Sequence, residues 1–144
     1  MRHPVKVKLG FKNSYLYSAL NPLSGEHHTL LLPYVNTGCM NIYLEYLGKS
    51  LAGKKALLIM DGAGWHKSLG LKVPPGVKIV YLPSYCPELN PVEGLWKYIK
   101  NHTIRNRIFV TLGAVEDAVC DFVKNNITKD RIKSISDGYN YLIT

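Results

Sequence analysis

Cysteine is sparse in this chain and poorly spaced for building anything. Cys39, Cys86 and Cys120 are odd in number and lack any paired metal-ligand spacing, which argues against a disulfide framework and against a zinc site. They are expected as reduced, mostly buried thiols. Long apolar runs are missing too: none approaches the ~20 residues of a membrane span, and the N-terminus has no signal-type apolar core. A soluble, cytoplasmic protein with no membrane partner is the expectation. There are no internal repeats and no low-complexity linker, so the 144 residues are expected to form one domain. Acid is scarcest of all. Ten Asp and Glu stand against 18 Lys and Arg, a net charge of +8, and no aspartate occurs before Asp61. Such an excess attracts polyanions and releases their counterions, which makes nucleic acid the first partner to consider. The plain alternative is a basic protein whose charges are scattered for solubility.

Two apolar runs carry the organisation of the chain. Ala56-Leu57-Leu58-Ile59-Met60 stops at Asp61 and a Gly-rich turn, and reads as a strand buried on both faces. Val77-Lys78-Ile79-Val80-Tyr81-Leu82 is a second such run, halted by Pro83 and leading to Asn90-Pro91-Val92-Glu93, where a helix starts. Strands paired in parallel would bring Asp61 and Glu93 to the carboxyl edge of a sheet, where open α/β folds place their sites.

Before them, the basic segment 1–13 contains an alternating stretch, Val5 to Phe11, suited to a half-buried or edge strand. Tyr15 to Leu20 and His27 to Leu32 form a hairpin across a loop rich in turn residues. Asn36 or Thr37 caps a helix with Met40, Tyr43, Leu44, Leu47 and Leu51 on one face. After them come a helix from Pro91 to about Thr103, a helix capped by Thr111 and a last short one from Thr128. The pattern is an α/β sheet with helices gathered toward the C-terminus.

The chemistry rests on carboxylates, and each has an ordinary reading beside the catalytic one. Asp61 suits a hard divalent ion such as Mg²⁺ or Mn²⁺, and equally suits capping the next helix through the Gly62 and Ala63 amides. Asn90-Pro91-Val92-Glu93 is a capping-box arrangement, so spacing alone does not make Glu93 catalytic. His66 and Lys67 follow the turn closely enough to face a phosphate, or His66 simply packs beside Trp65. Tyr85 suits base stacking or stiffening of its Pro-bounded loop. Trp96 reads as core.

At these residues a family becomes recognisable. Leu58 to Ser68, and then Tyr81 to Trp96 with its Asn90-Pro91-Val92-Glu93 core, closely resemble the DDE transposases of the IS630 (Tc1/mariner-like) insertion sequences. The resemblance extends to Tyr15 to Glu26, Leu32 to Thr37 and Ala114 to Ala118, and so covers nearly everything from about residue 14 onward. It implies an RNase H-like mixed sheet flanked by helices, in which three acids bind Mg²⁺ (or Mn²⁺) and DNA is cut and joined. It also implies transposon ends and target DNA as partners, in a bacterial, nucleoid-associated setting. Asp61 matches the second acid and Glu93 the third. His66, Lys67, Tyr85, Lys97, Lys100, Arg105 and Arg107 are the candidate nucleic-acid contacts, with Lys124 on the same basic surface.

The front of the chain departs from the family. The first acid of the family lies on its first strand, whereas here only Glu26 and Glu45 precede Asp61, one in the hairpin loop and one on a helix surface. The expectation is an N-terminally truncated catalytic domain, 1–13 being a basic lead-in and 14–144 family-like, lacking the usual central strand. Either Val5 to Phe11 pairs within the sheet, or exposed edges pair with another chain. The implied function is metal-dependent DNA cleavage and strand transfer by descent, inactive alone for want of the first Asp. A homo-oligomer or an upstream transposase polypeptide is then the expected partner. The alternatives are a non-catalytic DNA-binding or dimerising fragment and a folded remnant; a resolvase-like nuclease fits the Asn90 to Trp96 block poorly.

Overall fold

A computed structural model describes residues 5–8, 13–61, 70–82, 90–104 and 111–137. The strand Asn13–Leu20 (β2) sits between two cores. Alternation along a strand sends neighbouring side chains to opposite faces. Leu16 enters one core while Tyr17 and Ala19 enter the other. The polar groups that this buries are all bonded, as burial requires. Tyr17 donates its hydroxyl to the Tyr34 carbonyl at 2.8 Å, Ser18 and Thr29 hydroxyls lie 3.0 Å apart, and Trp96 Nε1 donates to Ser18 Oγ at 3.2 Å. Burial pushes the Tyr17 phenol up to about 12.

His27–Leu32 (β3) pairs antiparallel with β2, from Tyr15 opposite Leu32 to Leu20 opposite His27. The turn between them is held by Asn21, whose Oδ1 accepts from the Leu23 and Ser24 amides. Gly25 closes it at φ +78, with the Lys129 backbone packed where a β-carbon would stand. On the other edge of β2, Val5–Lys8 (β1) pairs antiparallel, from Val5 opposite Leu16 to Lys8 opposite Asn13. Part of the Val5 to Phe11 segment thus pairs within the sheet, as its alternation suggested; Phe11 lies outside the described residues.

The helix Thr37–Ser50 (α1) starts at Asn36, whose Oδ1 accepts from the Cys39 amide at 2.8 Å. Met40, Tyr43, Leu44 and Leu47 are buried, following the predicted stripe. Tyr43 anchors α1 to β3 by donating to the His28 carbonyl at 2.7 Å. On the same core lie Leu58 and Met60 of Ala56–Asp61 (β4), which pairs in parallel with Val77–Leu82 (β5), Ala56 opposite Val77 through Asp61 opposite Leu82.

Three expectations change here. β4 is not buried on both faces: Leu58 is 6% exposed and Met60 fully buried, but Leu57 is 61% exposed. Nor is β5, where Lys78 is exposed and Val80 is 41% exposed. The physical reason is coverage, since α1 lies on one face of this pair and the C-terminal helices pack on the three-stranded sheet. Second, the single mixed sheet is, among the described residues, two ladders, β1-β2-β3 and β4-β5. Third, the thiols are not uniformly buried: Cys39 is buried but Cys120 is exposed, and Cys86 lies outside the described residues.

Val92–Thr103 (α2), Leu112–Asn126 (α3) and Lys129–Ile135 (α4) cover the other face of β2. Thr111 and Thr128 cap α3 and α4, accepting from the Ala114 and Arg131 amides. Leu95, Trp96, Ile99, Val119 and Ile132 are each at most 1% exposed. At roughly 1.5–3 kcal/mol per fully buried large apolar side chain, this core is a main source of the stability of the fold.

Candidate active site

Asp61 is the last residue of β4, and its backbone stands opposite Leu82 at the end of β5. The parallel pairing that would bring the two runs' ends to one sheet edge is therefore present. Residues 62–69 and 83–89 lie outside the described residues, and with them His66, Lys67 and Tyr85, as do Arg105 and Arg107. The reading of Asp61 as a cap for Gly62 and Ala63 falls there too.

Glu93 occupies the first turn of α2 and is half-buried. A carboxylate there is favoured by the positive end of the helix dipole. Just before the helix, Asn90 Oδ1 accepts from the Val92 amide at 3.1 Å, while Pro91, at the cap position, offers no side-chain hydrogen bond. Pro91 stands at the boundary in helical conformation. Further along α2, Lys97 is exposed and Lys100 half-buried. Burial holds the Lys100 ammonium below its ordinary pKa, and the Glu93 carboxylate partly offsets this. Lys124 is exposed in the last turn of α3. Glu26 and Glu45 are exposed, Glu45 in an ion pair with Lys49 at 3.1 Å.

β4 and the residues just before α2 line one cavity of about 510 Å³. Leu57, Leu58 and Ile59, which lead into Asp61, line it together with Asn90 and Pro91, which lead into Glu93. Lys54 and Lys55 stand at its rim. Asn90 is 3% exposed, and its Nδ2 has no hydrogen-bond partner. Sequence reasoning treated Asn90 only as a cap and passed over Lys54 and Lys55; their one sequence signal is position, directly before the apolar run and directly before Pro91. Among the described residues no group of three or more His, Cys, Asp or Glu side chains is assembled in one place. No helix among them is long and apolar enough to cross a membrane.

Residues 5–116 match the family described as DDE superfamily endonuclease. The chain is also 41% identical over 97 residues to the uncharacterised protein y4pE/y4sA of Sinorhizobium fredii, a match covering 67% of this chain and 72% of that protein. With more than half of its length matching the family, the chain belongs to the DDE superfamily of endonucleases.

Proposed function

We propose that this chain is the catalytic-domain part of an IS630-type transposase. Residues 1–144 form a single RNase H-like domain in which Asp61 and Glu93 hold a divalent cation for DNA cleavage and strand transfer. The observation that supports this most is the shared cavity: the residues leading into each carboxylate line one space, in a chain of an endonuclease superfamily. Divalent metals are general to that superfamily, and carboxylate oxygens suit Mg²⁺ or Mn²⁺. Such an ion, when bound, offsets charge developing on a phosphodiester. Glu93 is half-buried, so it has lost part of its water shell and gains from a cation.

No aspartate precedes Asp61, so the chain alone holds the ion weakly and does not cut DNA. An upstream transposase polypeptide supplies the missing acid. The test is a Mn²⁺ titration followed by electron paramagnetic resonance. Weak binding by the wild type that drops at least tenfold in both Asp61→Ala and Glu93→Ala is expected. Equal binding by all three would refute the site. Plasmid nicking by the chain alone, lost in Asp61→Ala, would show instead that no further acid is needed.

A second reading, a DNA-binding or dimerising fragment without catalysis, is favoured by the net charge of +8 and the exposed Lys97 and Lys124. DNA affinity should then fall steeply with added salt and show little sequence preference. Affinity that does not respond to salt would count against it.

A further inference from the structure

β3 closes the three-stranded ladder on the side away from β1, and among the described residues no strand pairs with its outer edge. Helices flank it on both faces, α1 on one and α3 on the other. Between the same two layers, Leu16, Tyr17 and Ser18 of β2 are at most 1% exposed. Every residue of β3 is only half-buried. With both faces covered, the side of β3 that meets solvent is its edge. A cavity of about 370 Å³ opens there, lined by Thr29 and Leu31 of β3, Tyr46 of α1, and Cys120 and Lys124 of α3.

An open edge is a template for pairing, and folded proteins blunt it with a short strand, lysine, proline or a bulge. β3 uses none of these. It is six residues long, contains neither lysine nor proline, and keeps an unbroken register with β2 from His27 to Leu32. Burial holds the imidazoles of His27 and His28 below 6.5, so the strand is uncharged at neutral pH.

We propose that β3 is a dimerisation edge, at which two copies of this chain pair their β3 strands antiparallel about a two-fold axis normal to the sheet. The product is one continuous six-stranded sheet, three strands from each copy. Such an interface is isologous, so whatever one copy presents must complement itself. The axis keeps each helix on its own face and sets the two α3 helices antiparallel. Charge order along α3 fits this arrangement. Lys124 follows Asp117 by seven residues, about two turns, so both stand on one side of the helix, and both are exposed. Antiparallel juxtaposition brings Asp117 of each copy toward Lys124 of the other.

The net charge of +8 opposes self-association in general, but α3 is not basic: it carries three of the ten acids and a single lysine. A strand from an unrelated protein would gain the same main-chain hydrogen bonds without the reciprocal charges, so a second copy is the favoured occupant. This pairing does not depend on metal binding by Asp61 and Glu93, and its test reads no cleavage.

Sedimentation equilibrium of the intact chain at low salt should show monomer and dimer in exchange, with hydrogen exchange within His27–Leu32 slowed as the dimer forms. Lys124→Glu and Asp117→Lys, both at exposed positions, should each weaken the dimer at least tenfold, because the two-fold turns one substitution into two repulsions. An equimolar mixture of the two variants should dimerise again, since each facing pair is then of opposite sign, and the double variant should do the same. Damage to the fold would not be repaired by mixing. A chain that stays monomeric at every concentration would overturn the proposal. So would a dimer indifferent to both substitutions, a mixture no better than either variant alone, or protection confined to segments other than β3.

Discussion

β2 and β4 invert what their sequences suggest. β4 is uniformly apolar from Ala56 to Met60, yet Leu57 is 61% exposed; β2 carries Ser14, Tyr17 and Ser18, yet each of these is at most 3% exposed. The difference lies in what covers each strand. α1 packs on one face of β2 and α2 to α4 on the other, whereas β4 meets α1 alone among these helices in the core clusters. Hydroxyls survive burial in β2 because every one is bonded, to Glu116, to the Tyr34 carbonyl, or to Thr29 and Trp96. An apolar run marks a strand that tolerates burial; it does not establish that another element lies over it.

The largest effect that separates the two strands comes from the cover itself. Trp96→Ala removes a side chain that is 1% exposed and leaves Ser18 without its indole donor, and should cost about 3–5 kcal/mol in urea unfolding. Leu57→Ala on β4 should cost less than about 1 kcal/mol in the same measurement, because the side chain is mostly in water already. Comparable losses at the two positions would mean that β4 is covered in solution.

A smaller loss is expected where the hairpin of β2 meets α4. Gly25→Ala must adopt φ +78 and place a methyl against the Lys129 backbone, so a destabilisation of about 1–3 kcal/mol should appear as a lowered urea midpoint. Gly53→Ala, also at positive φ but with open space around it, should cost less; equal effects would show that backbone conformation outweighs the contact.

The smallest effect is a pH dependence that belongs to the covered sheet. Burial lowers the pKa values of His27 and His28 from 6.5; for His27 the neighbouring His28 adds to the lowering, and for His28 the Glu26 carboxylate opposes it. The folded chain then binds fewer protons than the unfolded one near those values. The associated stability is full above about 6.5 and is lost as pH falls through the depressed values. Melting temperature should therefore fall between pH 7 and pH 5, and His27→Gln/His28→Gln should flatten that slope. An unchanged slope in the double variant would assign the effect to other groups.

Much of the candidate site was legible because it is written in local signals. The stop of an apolar run at Asp61, and the Asn90-Pro91 entry to α2 that puts Glu93 in its first turn, follow from strand and helix chemistry within a few residues. The caps at Asn36, Thr111 and Thr128 were readable for the same reason. Lys54, Lys55 and the unpartnered amide of Asn90 had no such signal, since their importance comes from facing a cavity shared with β2, more than 30 residues away in the chain.

The sequence by itself determined the described elements and their order, because period, caps and turn residues act over short stretches. Tertiary structure alone decided which faces are covered, that Val5–Lys8 lies against β2, and that β2 and β4 wall one cavity. Those are matters of how many elements are at hand to occupy each side of a strand, and no local pattern of side chains encodes that.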